Sequence, residues 1–216
     1  MSASPETHAT PSSQGDARVL LIVSRQELSR PEASAPLSDP LPDLRDLHWR
    51  HPGVTVSLCE SYAEAASVCL SRHHEPPVEI AMTKGPLVCR RELDWQPPKD
   101  RARRAWANRD EATRDGAYSL SLAGVEAEYG MVAIARADTG TGADYYVAPP
   151  GEHEDLENAY RLEVSGIDQG GESDIRSRLQ QKILQVRNGS AGGPALVAVV
   201  GFATRRIALK EVEDLR

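Results

Sequence analysis

Two acidic residues stand in consecutive short apolar segments of the second half of the chain. Asp144 opens the segment Asp144-Tyr-Tyr-Val147, and Glu163 lies in the middle of Tyr160-Arg-Leu-Glu-Val-Ser165. If these segments are adjacent antiparallel strands, their carboxylates can meet at one edge of a sheet. At a separation of about 4 Å, two carboxylates would repel by roughly 4 kcal/mol at an effective dielectric of 20. A hard divalent cation relieves that repulsion, and Mg²⁺ is commonly held by one or two carboxylates plus a substrate phosphate. We therefore predict that Asp144 and Glu163 bind Mg²⁺ or Mn²⁺.

The elements that must position these acids follow one another from residue 110 onward. Apolar residues at helical spacing predict a helix that begins after Asn108 or Asp110 and stops at Gly130, which is typical of a helix C-terminus. The continuous apolar run Leu196–Val200 is typical of a strand buried on both faces. The predicted order is α-β-β-β-α-β: helix 110–129, strands 131–135, 144–147 and 160–165, helix 173–187, strand 196–200, and a last strand or short helix over 207–215.

This order and these acids resemble the PD-(D/E)XK nucleases, which have the restriction endonuclease-like fold. The matching residues are Gly142-Ala-Asp144-Tyr-Tyr-Val and Tyr160-Arg-Leu-Glu163-Val-Ser165-Gly, and the resemblance covers about residues 108–202. It implies an α/β fold with a mixed sheet flanked by helices, and divalent-metal-dependent hydrolysis of phosphodiester bonds in DNA or RNA. By analogy with the fold alone, it also implies a setting in defence against foreign DNA.

The chain departs from the family at the lysine that stands two positions after the motif glutamate, because Ser165 occupies that position. Serine is neutral and cannot stabilise the charge that develops on the reacting phosphate. Some members carry this lysine on the following helix, where Lys182 stands, so we predict that Lys182 replaces it and that Ser165 orients water; Lys210 is the weaker option. The alternative is a catalytically inactive nuclease-fold protein, a pseudoenzyme that acts as a binding or assembly module.

The family often adds an acid from its first helix to the metal site. Glu111 and Asp115 share one face of the predicted helix, and Glu126 falls about four turns from Glu111 on nearly the same face. Any of the three could be the ligand, and we choose Glu111 because it lies in the N-terminal turn beside Asp115.

A basic segment precedes the first helix of the predicted core. From Lys84 to Arg114 the chain carries nine basic and five acidic residues, a local net charge of +4 in a chain of net charge −7. Such an asymmetry is typical of a phosphate-facing surface, although a solvated linker around Pro97 and Pro98 has the same composition. The residues expected to contact nucleic acid are Arg101, Arg103 and Arg104 on this segment and Arg176 and Arg178 on the opposite rim.

The N-terminal third is expected to extend the sheet of the core. We divide the chain into a disordered tail over 1–17, a β/α extension over 18–95 and the restriction endonuclease-like core over 96–216. Within the extension the sequence predicts strands over 18–24, 54–58 and 78–82, a proline-rich irregular connection over 26–53, and a helix over 62–72 that a capping box of Ser61 and Glu64 would start.

Composition narrows the remaining classes. The pI of about 5.4 disfavours indiscriminate binding to nucleic acid, and three cysteines without Cys-x-x-Cys spacing disfavour a disulfide framework or a zinc site. No apolar run approaches the roughly 20 residues that span a bilayer, and the N-terminus has no signal-peptide pattern. We therefore expect a cytoplasmic protein without a membrane partner, acting as a homodimer or in a larger complex.

Overall fold

The computed structural model describes residues 39–152, 156–188 and 192–213. Within these ranges the chain forms a seven-stranded mixed sheet flanked by helices, which confirms the α/β class. The helices are α1 (Leu47–Arg50), α2 (Val56–Leu70), α3 (Asp100–Ala105), α4 (Arg109–Tyr129) and α5 (Glu172–Asn188). The strands are β1 (Val78–Lys84), β2 (Leu87–Leu93), β3 (Val132–Arg136), β4 (Tyr145–Ala148), β5 (Tyr160–Ile167), β6 (Ala195–Gly201) and β7 (Arg206–Val212).

The strand order in the sheet is β2-β1-β7-β6-β5-β4-β3. Strands β3, β4 and β5 form an antiparallel meander, and Tyr145 of β4 pairs with Leu162 of β5, so the two acidic segments are neighbours as predicted. Helix α5 then crosses over to β6, which runs parallel to β5, and β7 returns antiparallel to β6. Strand β1 joins the sheet parallel to β7, so the N-terminal strands extend the sheet of the second half.

The two faces of β6 show how the layers are held together. Leu196, Ala198 and Val200 belong to the large core under α2 and α4, while Val197 and Val199 pack beneath α5. All of β6 is buried, which confirms the prediction of a strand covered on both faces. The molecule is therefore layered as α2 and α4, sheet, and α5.

Helix α4 lies unusually close to its neighbours because small residues face them. A methyl group added to Gly116 would meet the backbone of α2 at Ala66 at 2.9 Å, and one added to Gly166 of β5 would meet the carbonyl oxygen of Thr113 at 2.5 Å. The ends of α4 are as predicted: the Asn108 side chain accepts the N–H groups of the first turn, and Gly130 ends the helix with φ of +64°. This close packing fixes α4 over the C-terminal half of β5.

The predicted strand over residues 54–58 is wrong. Helix α2 begins at Val56, because the Thr55 side chain accepts the N–H of Leu58 at 3.3 Å, and so Ser61 is an interior residue rather than the N-cap. The β-branched residues favoured a strand locally, but helical spacing of Cys59, Tyr62 and Ala66 lets this segment bury a face against α4.

The interpretation of the basic segment as a solvated linker is wrong in part, because it contains β2 and α3. The proline-rich connection also contains one short helix, α1. The last element is the strand β7, which settles the choice between strand and helix.

The predicted tail over 1–17 and strand over 18–24 lie outside the described residues. No helix in the described part of the chain is long and apolar enough to cross a membrane.

Candidate active site

Asp144 is held in place by both of the layers that meet at the start of β4. Its Oδ1 accepts a hydrogen bond from the hydroxyl of Tyr118 on α4 at 2.7 Å, and its Oδ2 accepts the backbone N–H of Val164 on β5 at 2.8 Å. Its own N–H donates to the carbonyl oxygen of Leu162 at 2.8 Å. The carboxylate is therefore fixed beside the strand that carries Glu163.

Glu163 is a buried carboxylate that faces α5. Its side chain is 7% exposed, and its Oε1 accepts hydrogen bonds from Lys182 Nζ at 2.6 Å and Gln185 Nε2 at 3.2 Å. Burial raises the pKa of Glu163 despite the bond from Lys182, and the negative charge of Asp144 raises it further. Among the described contacts, neither Arg161 nor Arg176 pairs with Glu163; the buried Arg161 donates instead to the carbonyl oxygen of Gly193 at 3.1 Å.

Ser165 lies on the same face of β5 and receives a second cation from α5. The guanidinium of Arg178 donates to the Ser165 hydroxyl oxygen at 3.1 Å. Residues two apart on a strand are about 6.6 Å apart, and residues four apart on a helix are about 6 Å apart along its axis. Because α5 runs antiparallel to β5, Lys182 and Arg178 match Glu163 and Ser165 one to one.

Asp144 and Glu163 open into one pocket of about 580 Å³, which is also lined by Arg136, Gln185, Asp138 and other residues of the loop that follows Arg136. Arg136 donates to the hydroxyls of Tyr62 and Tyr145, at 3.2 Å for Tyr145. Its guanidinium lies over the ring of Tyr118 at 4.8 Å from the centroid. A cation is therefore held at the rim of the acidic site.

Sequence reasoning missed Arg136. The available signal was weak: a single arginine at the end of an otherwise apolar strand, just before the Asp138-Thr-Gly turn. The tyrosines that hold it come from α2, α4 and β4, and none of these contacts could be inferred from spacing along the chain.

The three candidate acids of the first helix differ in position. Glu111 is exposed, and it lies seven residues before Tyr118, or about 10 Å along the helix axis from the side chain that touches Asp144. Asp115 pairs with Arg114 at 2.8 Å. Glu126 binds Arg50 and the buried His51 at the other end of α4. None of the three has a described contact with Asp144 or Glu163, so Glu111 as a metal ligand stays a prediction.

The other predicted cations lie mostly at the surface. Arg101, Arg104, Arg176 and Lys210 are exposed. Arg103 lines a different pocket, at the C-terminal end of β5, together with Arg72 and Arg109. Only Lys182 and Arg178 of the predicted cations have described contacts with Glu163 or Ser165.

The acidic site offers carboxylate oxygens, which are the ligands that a hard divalent metal prefers. Within the described residues no group of three or more His, Cys, Asp or Glu side chains is placed to hold a metal ion. Mg²⁺ needs one or two protein carboxylates, since water and substrate phosphate complete its octahedron. Asp144 and Glu163 supply two carboxylates to one pocket, and both described hydrogen bonds to Glu163 fall on Oε1, so the residues present suit Mg²⁺ or Mn²⁺.

Comparisons with models of protein families, with curated proteins and with solved structures find no match to this chain. Its function must therefore be argued from the site itself.

Proposed function

We propose that this protein is a divergent, divalent-metal-dependent nuclease of the restriction endonuclease-like type, in which Lys182 replaces the missing motif lysine. The observation that carries the proposal is the 2.6 Å contact between Lys182 and the buried Glu163. Ser165, which occupies the position of the motif lysine, stands two residues after Glu163. The order α4, β3, β4, β5, α5, β6 and the pairing of β4 with β5 support it, because they agree with the α-β-β-β-α-β order of the family.

Asp144 and Glu163 would hold Mg²⁺ or Mn²⁺. The metal, when bound, would polarise the phosphodiester and lower the pKa of the attacking water. In this proposal the ammonium group of Lys182, which lies beside Glu163, offsets the negative charge that develops on the phosphate in the transition state. Ser165 uses its oxygen to accept from Arg178, which leaves its hydroxyl proton free to orient water.

Arg136 has a further role in this proposal. Its place at the rim of the pocket suits a contact with a non-bridging phosphate oxygen, because a guanidinium presents two parallel donors to such an anion. The tyrosines around it limit its rotamers and so reduce the entropy lost on binding.

One observation favours a second candidate, a nuclease-fold module without catalysis. The pair of Lys182 and Glu163 neutralises the buried carboxylate without a metal, so the contact would also serve a purely structural role. In that case the protein binds nucleic acid or another partner and does not cleave it.

The test is cleavage of DNA and RNA in Mg²⁺, Mn²⁺ or EDTA. We expect cutting that needs the metal, that falls to background in Glu163→Gln, and that falls by about 10²–10³-fold in Lys182→Met. The matched control is Lys210→Met, which removes an exposed lysine of β7, a strand separated from β5 by β6, and should cut like the unmodified protein. Absence of cleavage with either metal would favour the binding module.

A further inference from the structure

A second pocket, here called the arginine pocket, lies at the C-terminal end of β5. It has a volume of about 520 Å³ and is lined by Val68, Arg72, His73, Arg103, Trp106, Ala107, Arg109 and Gln169. The cationic side chains come from three places: the end of α2, the helix α3 and the start of α4. Sequence reasoning singled out only Arg103 among them.

One carboxylate organises these cations. Asp168 Oδ2 accepts two hydrogen bonds from Arg109, at 2.6 and 2.9 Å, and lies 3.4 Å from Arg72. Its Oδ1 lies 3.0 Å from His73 Nε2. Although burial opposes ionisation, the bonds from Arg109 and His73 hold the pKa of Asp168 below its usual value. Asp168 is therefore charged, and it holds Arg72 and Arg109 in place before a ligand binds.

The charges of the pocket do not balance. Three guanidinium groups line the pocket; Arg72 and Arg109 share the one carboxylate Asp168, and Arg103 has no described ion pair. Arg109 is 53% exposed and Asp168 is 12% exposed, so the acid lies inside and donors of the arginines reach solvent. A concave site with two surplus positive charges is suited to an oxyanion, and arginine forks match the oxygens of a phosphate group.

The position of the pocket relates it to the acidic site. Val164, whose N–H binds Asp144, precedes Asp168 by four residues, or about 13 Å along the strand. Both sites lie at the end of the sheet where β5 ends and β4 begins. The two sites are therefore close enough for one nucleic-acid strand to reach both.

We propose that the arginine pocket binds a second phosphate of the nucleic-acid strand whose scissile phosphodiester is held at Asp144 and Glu163. The identity of the ligand as a nucleic-acid strand rests on the proposed function, whereas the recognition of a phosphate group rests on the pocket alone. The pocket anchors the strand and takes no part in bond cleavage.

The test measures binding without cleavage. Fluorescence anisotropy of labelled duplex DNA in EDTA, over a salt series, compares the unmodified protein with the double variant Arg103→Gln and Arg109→Gln. The control, Arg45→Gln and Arg90→Gln, removes the same charge from two exposed arginines outside this pocket. We expect at least a tenfold loss of affinity in the pocket variant and a salt slope lowered by about 0.9, the value for the one phosphate contact that the pocket makes. The control should keep the original slope.

Three results would overturn the inference. The first is a slope in the pocket variant equal to that of the control, and the second is no measurable binding of DNA by the unmodified protein at low salt. The third comes from a separate arm with inorganic phosphate and a mononucleotide: if either binds as tightly as the oligonucleotide, the pocket serves a free phosphate ligand instead of a strand.

The same measurements separate this inference from the proposed function. DNA binding that depends on the arginine pocket, together with no cleavage in any metal, would support strand binding by the pocket and contradict the proposed nuclease activity. Metal-dependent cleavage with an unchanged salt slope in the pocket variant would support the proposed nuclease activity and contradict strand binding by the pocket.

Discussion

The acidic site and the arginine pocket are each fixed by one side chain of opposite charge, and the signs of the charges are reversed between them. At the acidic site, the single lysine Lys182 meets Glu163, with the charged Asp144 nearby. At the arginine pocket the single carboxylate Asp168 contacts two arginines, Arg72 and Arg109, while a third, Arg103, lines the same pocket. The acids Asp138, Asp144 and Glu163 outnumber Lys182 and Arg136 at the first site, whereas three arginines outnumber Asp168 at the second. A metal therefore suits the first site and a phosphate suits the second. The comparison shows that a buried countercharge can fix a site without neutralising it.

The largest effect on stability is expected when the countercharge of the acidic site is removed. Lys182→Met leaves Glu163 buried beside Asp144 without its cation, and breaking a buried ion pair in this way costs about 3–5 kcal/mol of the free energy of unfolding. The double change Glu163→Leu with Lys182→Met should recover most of that loss, because neither charge is then left alone. Urea unfolding of the two variants and of Lys210→Met provides the measurement, and a loss below about 1 kcal/mol in Lys182→Met would show that the pair is not stabilising.

The part of the acidic site that could be predicted from sequence depends on local periodicity. Alternation in residues 160–165 placed Glu163 and Ser165 on one face, and the apolar stripe of residues 173–187 placed Lys182 next to its buried side. The strand and the helix are consecutive, so their antiparallel packing brings these faces together. Sequence could therefore indicate the contact between Lys182 and Glu163, although not its length.

The arginine pocket could not be predicted in this way. Asp168 is separated from Arg109 by 59 residues and from His73 by 95, and the three helices that supply the cations follow no common period. Arg109 was considered only as part of the basic segment from Lys84 to Arg114. The contacts of Asp168 with Arg109 and His73 depend on the packing of α2 on α4 and of α4 on β5, which small residues such as Gly116 permit.

The two sites are coupled through the contact between Gly166 and α4. Gly166→Ala would place a methyl group 2.5 Å from the carbonyl oxygen of Thr113, so α4 must shift, at a cost of about 1–3 kcal/mol. Because α4 carries both Tyr118 and Arg109, the change should reduce metal-dependent cleavage and the affinity for DNA together. The control Gly171→Ala has ordinary space around it, with its nearest neighbour at 4.0 Å. A change in only one of the two activities would show that α4 does not link the sites.

A smaller effect is expected at the countercharge of the arginine pocket. Asp168→Asn keeps the shape of the side chain but leaves Arg72 and Arg109 to repel one another, which should cost about 1–2 kcal/mol at neutral pH. The lowered pKa of Asp168 means that its contribution is fully present above the unfolded value near 4 and is lost as the pH falls through the folded pKa. The difference in unfolding free energy between the unmodified protein and Asp168→Asn should therefore shrink below about pH 4. A difference that stays constant from pH 6 to pH 3 would mean that the charge of Asp168 is not what stabilises the pocket.

The smallest effect is expected for an ion pair that fixes no site. Arg90 and Glu79 are 2.6 Å apart on neighbouring strands β2 and β1, a contact as short as that of Lys182 and Glu163, but both side chains are more than half exposed. Water and salt screen such a pair, and Arg90→Gln should change the free energy of unfolding by less than about 0.5 kcal/mol. The double-mutant cycle with Glu79→Gln measures the coupling directly. A coupling above about 1 kcal/mol would show that distance, rather than burial, decides the strength of ion pairs in this protein, and would remove the physical ground for treating the two buried countercharges as special.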